Sequence, residues 1–195
     1  MNKRIYLASR SPRRAELLQQ IGVDFLVLPS DIDESELAGE AATEYVLRLA
    51  KTKASVCIEQ LKSAQKTLLP VLAADTTVVV DGEILGKPVD DADACRMLSS
   101  MSGRWHEVHT GIALATEAGV AVAMSTTRVE MAELSQDTIA AYIASGEPRD
   151  KAGAYGIQGL AGLMIKRIEG SYSGVMGLPI YETAALLKSA EINLL

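Results

Sequence analysis

Aromatic residues are scarce in this 195-residue chain, which has one Phe, one Trp and six Tyr, 4% in all. Its core must therefore be built from Ala, Val, Ile and Leu, and the scarcity argues against a stacking platform for single-stranded nucleic acid. Cationic excess is missing too. Lys and Arg number 19 against 25 Asp and Glu, a net charge of -6, so no whole-molecule field draws the chain to DNA, RNA or anionic lipid. An anionic ligand must then be held by a local cluster of cations. The two cysteines, Cys57 and Cys95, fit neither a metal knuckle nor a disulfide framework. Both sit among apolar neighbours in helix-like stretches and read as buried free thiols, a usage that suits a reducing cytosol. No apolar run approaches membrane-spanning length, and residues 5–8 are too few for a signal-peptide core. The expectation is a cytoplasmic protein with neither a nucleic acid nor a membrane as partner.

What is present is ordinary globular material, 48% hydrophobic and 23% charged. Its length suits one domain over residues 1–195, or two lobes around one cleft. Strand-like and helix-like segments alternate, which predicts an α/β fold. Strands are expected at 5–9, 23–28, 71–80, 83–85, 105–116, 120–134 and 163–168. Helices are expected at 12–21, 43–61, 91–100, 135–145 and 179–190. Asp81-Gly82 is a hairpin signal, Ser11 and Ser135 read as helix caps, and Pro12 suits a first helical turn.

The chemistry-bearing residues fall in a few places. Lys3, Arg4, Arg10, Arg13 and Arg14 all precede the first acidic residue, Glu16. A helix start loaded with Arg13 and Arg14 is unfavourable against the helix dipole unless an anion binds there. Asp75 interrupts the apolar run 71–80, and a buried carboxylate needs a cation, a metal or a raised pKa. On helix 43–61, Lys53 has Leu49, Ala50, Val56 and Cys57 as its neighbours at three and four residues. It therefore lies in the apolar stripe, and a lysine aimed inward complements an aspartate placed inward. Gly86-Lys87-Pro88 holds a lysine on a well-defined turn. Asp31, Asp33, Glu34 and Glu36 form an acidic loop that could add a carboxylate for a hard cation. The glycine-rich stretch 150–159 permits close backbone approach to a ligand, and Gln158 offers an amide to a base edge. His106 and His109, three apart in a strand, face opposite ways and are not expected to share a metal.

Taken in order, these segments resemble the Maf family over essentially the whole chain. The matching stretches are 7–14 (Leu-Ala-Ser-Arg-Ser-Pro-Arg-Arg), Arg48-Leu49-Ala50 with Lys53, Ala74-Asp75-Thr76, Gly86-Lys87-Pro88, 150–159, and 170–179. The resemblance implies a curved mixed β-sheet flanked by helices with a central cleft, similar to inosine triphosphate pyrophosphatase. It implies hydrolysis of a nucleoside triphosphate to monophosphate and pyrophosphate with a divalent metal cation, Mg²⁺ or Mn²⁺. Asp75 matches the acidic residue that activates water and is also a candidate metal ligand beside Glu34. Arg13, Thr76 and Gln158 match positions tied to base specificity, while Ser9, Glu34, Lys53 and Lys87 match polar positions around phosphate and metal. Arg14 joins Arg13 as a candidate substrate contact. The glycine-rich loop resembles the branch that acts on dTTP and UTP rather than the sister branch that uses 7-methyl-GTP. A non-catalytic nucleotide-binding regulator of cell division is the alternative from another class. A homodimer is admitted by the resemblance alone.

Overall fold

The computed structural model describes residues 4–194; Lys3, the first of the early cations, lies outside them. Strand β1 (Arg4–Leu7) leads into helix α1 (Pro12–Gln20), strand β2 (Asp24–Val27) and the long helix α2 (Ala42–Ser63). Strand β3 (Val71–Val80) and the short β4 (Glu83–Leu85) are joined through Asp81 and Gly82, with φ of 50° and 84°. Two successive left-handed residues match the twist of a two-residue hairpin, which is why Asp-Gly stands there. Helix α3 (Asp91–Met101) and the long strands β5 (Trp105–Thr116) and β6 (Gly119–Met131) follow. Next come α4 (Gln136–Ala144), three 3-10 turns, β7 (Ile165–Glu169), α5 (Tyr172–Met176) and α6 (Ile180–Ser189).

The seven strands form one mixed sheet in the order β2-β1-β3-β5-β6-β7, with β4 paired to β3. Strand β1 runs parallel to both β2 and β3, whereas β3–β4 and β6–β7 are antiparallel. The fold is thus α/β with helices flanking a mixed open sheet. Among the described residues, no helix is long and apolar enough to cross a membrane.

Three local expectations are corrected. Ser11 occupies the N-cap position of α1 but makes no side-chain cap bond. The nearby hydroxyl is Ser9, whose Oγ accepts from the Ser11 amide at 3.2 Å. Strand β7 begins two residues later than expected because Leu160–Leu163 forms a 3-10 turn. Cys57 is buried, as read, but Cys95 is half-exposed. The other two 3-10 turns (Glu147–Asp150 and Ala152–Ala154) and the five-residue α5 are too short for apolar periodicity to announce them.

The chain forms two compact units. One takes the chain up to Asp75, Thr110–Ser125 and the segment from Gly177 onwards; the other takes Thr76–His109 and Thr126–Met176. The first has a core of small and branched residues, including Ala50, Ala54, Ile58, Leu61, Val71 and Ala113. Helix α2 supplies its stripe as Val46, Leu49, Ala50, Lys53, Ala54, Cys57, Ile58 and Leu61, all buried. The alternating steps of three and one are those of a single helix face. Strand β5 packs directly on this helix: a Cβ at Gly111 would lie 2.6 Å from the Val46 carbonyl oxygen. The second unit packs Val78, Leu85, Met97, Leu98, Met131 and Tyr155 into its own core.

Candidate active site

Asp75, on β3, ends the first segment of the first unit and is 8% exposed. Lys53, in the apolar stripe of α2, is 9% exposed. Its Nζ donates to Asp75 Oδ1 at 2.7 Å and pairs with Glu34 Oε1 at 2.6 Å. The inward lysine and the inward aspartate of the sequence reading therefore meet, and the acidic loop adds its own carboxylate to them. Burial drives the Asp75 carboxyl above its ordinary value, although Lys53 and Arg14 pull it down; Glu34 adds to the rise. Desolvation that strengthens a carboxylate's hold on a proton suits it to accept one.

Arg14 comes from the first turn of α1. Its Nε donates to the Gly177 carbonyl at 2.7 Å and its Nη1 to Ser9 Oγ at 3.1 Å. Burial pushes its pKa down, against the charge of Asp75, while neighbouring Arg13 lowers it further. Two guanidinium groups are thus gathered in one helical turn, with Arg14 near enough to the desolvated Asp75 carboxylate to feel its charge. Such an arrangement receives anionic oxygens. Ser9, Arg13, Arg14, Glu34, Lys53 and Asp75 all belong to this one unit.

The loop carrying Glu34 has no regular structure, yet α2 pins it in three places. Tyr45 Oη donates to the Glu34 carbonyl at 3.0 Å, and Arg48 Nη2 to the Ser35 carbonyl at 3.0 Å. Ser30 Oγ donates to the Lys53 carbonyl at 3.2 Å. Arg48 also forms a fork on Glu40, with Nη2 2.6 Å from Oε2. Asp33 accepts from the amide and hydroxyl of Ser35, and Asp31 pairs with Arg10 at 3.1 Å in solvent. These two carboxylates shape the loop or its surface. Tyr45 and Arg48 were missed as contributors because no pattern in the sequence ties helix positions to a loop that precedes them.

Glu34 Oε1 and Asp75 Oδ1 both meet the Lys53 ammonium. Two hard carboxylates of this kind fit a magnesium or manganese ion that takes its other ligands from phosphate and water. Among the described residues there is no group of three or more His, Cys, Asp or Glu that could hold a metal, so protein atoms alone would not complete such a shell.

Thr76, Lys87 and Gln158 fall in the second unit. Thr76 is half-buried on β3, and Lys87 and Gln158 are exposed. The two loops are tied together there, because the Gly153 amide donates to the Gly86 carbonyl at 3.0 Å. His106 Nε2 meets Tyr155 Oη at 2.7 Å, whereas His109 Nδ1 meets Thr126 Oγ1 at 2.9 Å. The two histidines have different partners, as their spacing predicts.

Comparison with known proteins places the chain. The family model described as "Maf-like protein" matches residues 4–190. A dTTP/UTP pyrophosphatase of Methylobacillus flagellatus is 67% identical over 97% of this chain and 94% of its own length. One from Bordetella parapertussis is 57% identical over 97% and 93%, and one from Hahella chejuensis 52% identical over 98% and 94%. Among solved structures, the Staphylococcus aureus Ham1 protein aligns with 67% of this chain and 72% of its own, at 18% identity and a TM-score of 0.44; that likeness is too distant to argue from. With its motifs in order, a buried Lys–Asp pair at their centre and a family model matched almost from end to end, this chain belongs to the Maf family.

Proposed function

We propose that the protein hydrolyses dTTP and UTP to the monophosphate and pyrophosphate, with Asp75 as the residue that takes the proton from water. The observation that carries the proposal is the desolvated Asp75 carboxylate on the Lys53 ammonium, in a chain 67% identical to a dTTP/UTP pyrophosphatase. Water oxygen bonds to the α-phosphorus, the bridging α–β phosphate bond breaks, and pyrophosphate leaves with the bonding electrons. Asp75 accepts the water proton and later returns it to solvent. Arg13 and Arg14, with the helix start, hold the triphosphate oxygens and offset the charge that builds on the leaving group. Lys53 keeps Asp75 and Glu34 in fixed positions.

Glu34 and Asp75 would hold a divalent cation, Mg²⁺ or Mn²⁺, which supplies Lewis-acid stabilisation of the phosphate charge. Thr76, Lys87 and Gln158 are assigned to the same nucleotide by their motifs, with Gln158 reading the base.

The test is pyrophosphate release with Mg²⁺ or Mn²⁺ across dTTP, UTP, CTP, GTP and 7-methyl-GTP. Turnover led by dTTP and UTP is expected. Turnover led by 7-methyl-GTP would move the chain to the sister branch, and nucleotide binding without any turnover would leave the regulator.

A further inference from the structure

The glycine-rich stretch before β7 is anchored by a side-chain pair that has no part in the chemistry above. Tyr142 Oη, on α4, donates to Glu147 Oε1 at 2.8 Å. The Glu147 carboxylate also accepts from two loop amides, Leu160 to Oε2 at 2.8 Å and Ala161 to Oε1 at 3.3 Å. Tyr142 Oη in turn accepts from the Gly156 amide at 3.3 Å. Between these anchors lies a turn closed by the Gly159 amide on the Gly156 carbonyl at 3.0 Å. Its two central residues are Ile157 and Gln158. One Tyr–Glu pair therefore fixes both ends of the turn that presents Gln158.

The flanking glycines follow from the same clamp. Lys151 Nζ donates to the Glu147 carbonyl at 2.7 Å, and its stem runs so close that a Cβ at Gly156 would lie 2.7 Å from Lys151 Cε. A Cβ at Gly159 would collide with both carboxylate oxygens of Glu147. Burial raises the Glu147 carboxyl, but the Leu160 amide, the Tyr142 hydroxyl, the Ala161 amide and the Lys151 charge outweigh it and hold it below its ordinary value. The carboxylate is thus ionised at neutral pH, and an ionised carboxylate only accepts hydrogen bonds.

We infer that Glu147 and Tyr142 are positioning residues for base selection, holding the 156–159 turn so that the Gln158 amide meets the substrate in one geometry. The inference rests on the proposed dTTP/UTP activity, with Gln158 as the residue that reads the base. A side-chain amide rejects the wrong base only when its donor and acceptor are held in place; a loose turn lets it adapt to either. Both anchors act on the backbone of the turn rather than on the nucleotide, so their loss should alter recognition more than the chemical step.

The experiment measures kcat and KM for dTTP, UTP, CTP and GTP on wild type, Glu147→Gln, Tyr142→Phe and Gln158→Ala. Hydrogen exchange of the 152–164 segment is followed in parallel. For the two clamp variants, KM for dTTP should rise about tenfold with kcat within about threefold, and the preference for dTTP over GTP should shrink about tenfold. Exchange in the segment should quicken. Tyr142→Phe keeps the ring and its packing, so it decides the matter alone if Glu147→Gln does not fold. Folded clamp variants that keep wild-type selectivity while Gln158→Ala loses it overturn the inference, and so does unchanged exchange. A wild type with no preference for dTTP and UTP, or a Gln158→Ala variant that keeps it, refutes the underlying reading and the selectivity role together.

Discussion

The Lys53 ammonium lies 2.7 Å from Asp75 Oδ1, both side chains 11% exposed, in the middle of an apolar helix face. Removing either partner leaves the other charge desolvated, whereas replacing both by apolar groups need not. Lys53→Met should therefore cost about 3–5 kcal/mol of stability, read by urea unfolding in metal-free buffer. Adding Asp75→Asn to it should recover much of that loss. A loss in the double variant equal to the sum of the two single losses would show that the two side chains are not energetically coupled.

Asp75→Asn alone keeps the shape of the side chain and removes its basicity. The rate of pyrophosphate release should fall by about a hundredfold to ten-thousandfold, the range general-base catalysis commands. The melting temperature should fall less than in Lys53→Met, because the buried ammonium keeps its ion pair with Glu34. A rate within tenfold of wild type would take Asp75 out of the proposed step.

The loop bearing Glu34 is placed by Tyr45 and Arg48, so the proposed divalent cation should depend on them as well. Burial, reinforced by the charges of Asp75, Glu34 and Glu36, pushes the Tyr45 phenol up to about 12. It therefore remains a donor to the Glu34 carbonyl throughout any practical assay. Tyr45→Phe removes one hydrogen bond, worth about 1 kcal/mol, and Arg48→Ala removes the fork on Glu40 together with the Ser35 contact. Both should raise the concentration of Mg²⁺ needed for half-maximal activity, Arg48→Ala more strongly. An unchanged metal requirement in both variants would mean that the loop holds its place without them.

His106 predicts how stability responds to acid. It is 3% exposed, with Tyr155 against Nε2 and no partner for Nδ1 among the described residues. Burial lowers its pKa from 6.5 to about 4. Between those values the unfolded chain binds a proton that the folded one refuses, so stability is full above pH 6.5 and falls as pH drops towards 4. The loss should reach about 3 kcal/mol. Equilibrium unfolding at a series of pH values reads it, and His106→Phe should flatten that limb of the curve. An equally steep limb in the variant would assign the acid sensitivity to other groups.

Much of this was legible where one physical rule acts alone. The bounds of β3, β4 and β5 follow from β-branched runs and the Asp81-Gly82 turn, and the stripe on α2 follows from periodicity. Lys53 stood out because a lysine inside that stripe needs a partner, and Asp75 because an apolar strand must satisfy its one acid. What could not be read were contacts set by tertiary placement. Nothing local says that Ser9 rather than Ser11 serves the start of α1, that Glu34 rather than Asp33 reaches Lys53, or that Tyr45 and Arg48 reach back to the loop. Glu147 was missed for another reason: glycine density suggested close approach to a ligand, whereas the approach at Gly159 is by a side chain of the chain itself.

The crowding at Gly159 carries an evolutionary consequence. A Cβ there would collide with both carboxylate oxygens of Glu147, which would have to shift to admit one. The two positions are consequently not free to drift apart. Alanine at 159 would push the Glu147 carboxylate off its partners, whereas a shorter residue at 147 removes that clash and gives up the grip on the Leu160 and Ala161 amides. Substitutions at 147 and 159 should therefore be strongly epistatic, and lineages that change one should be found to have changed the other, along with the base they select.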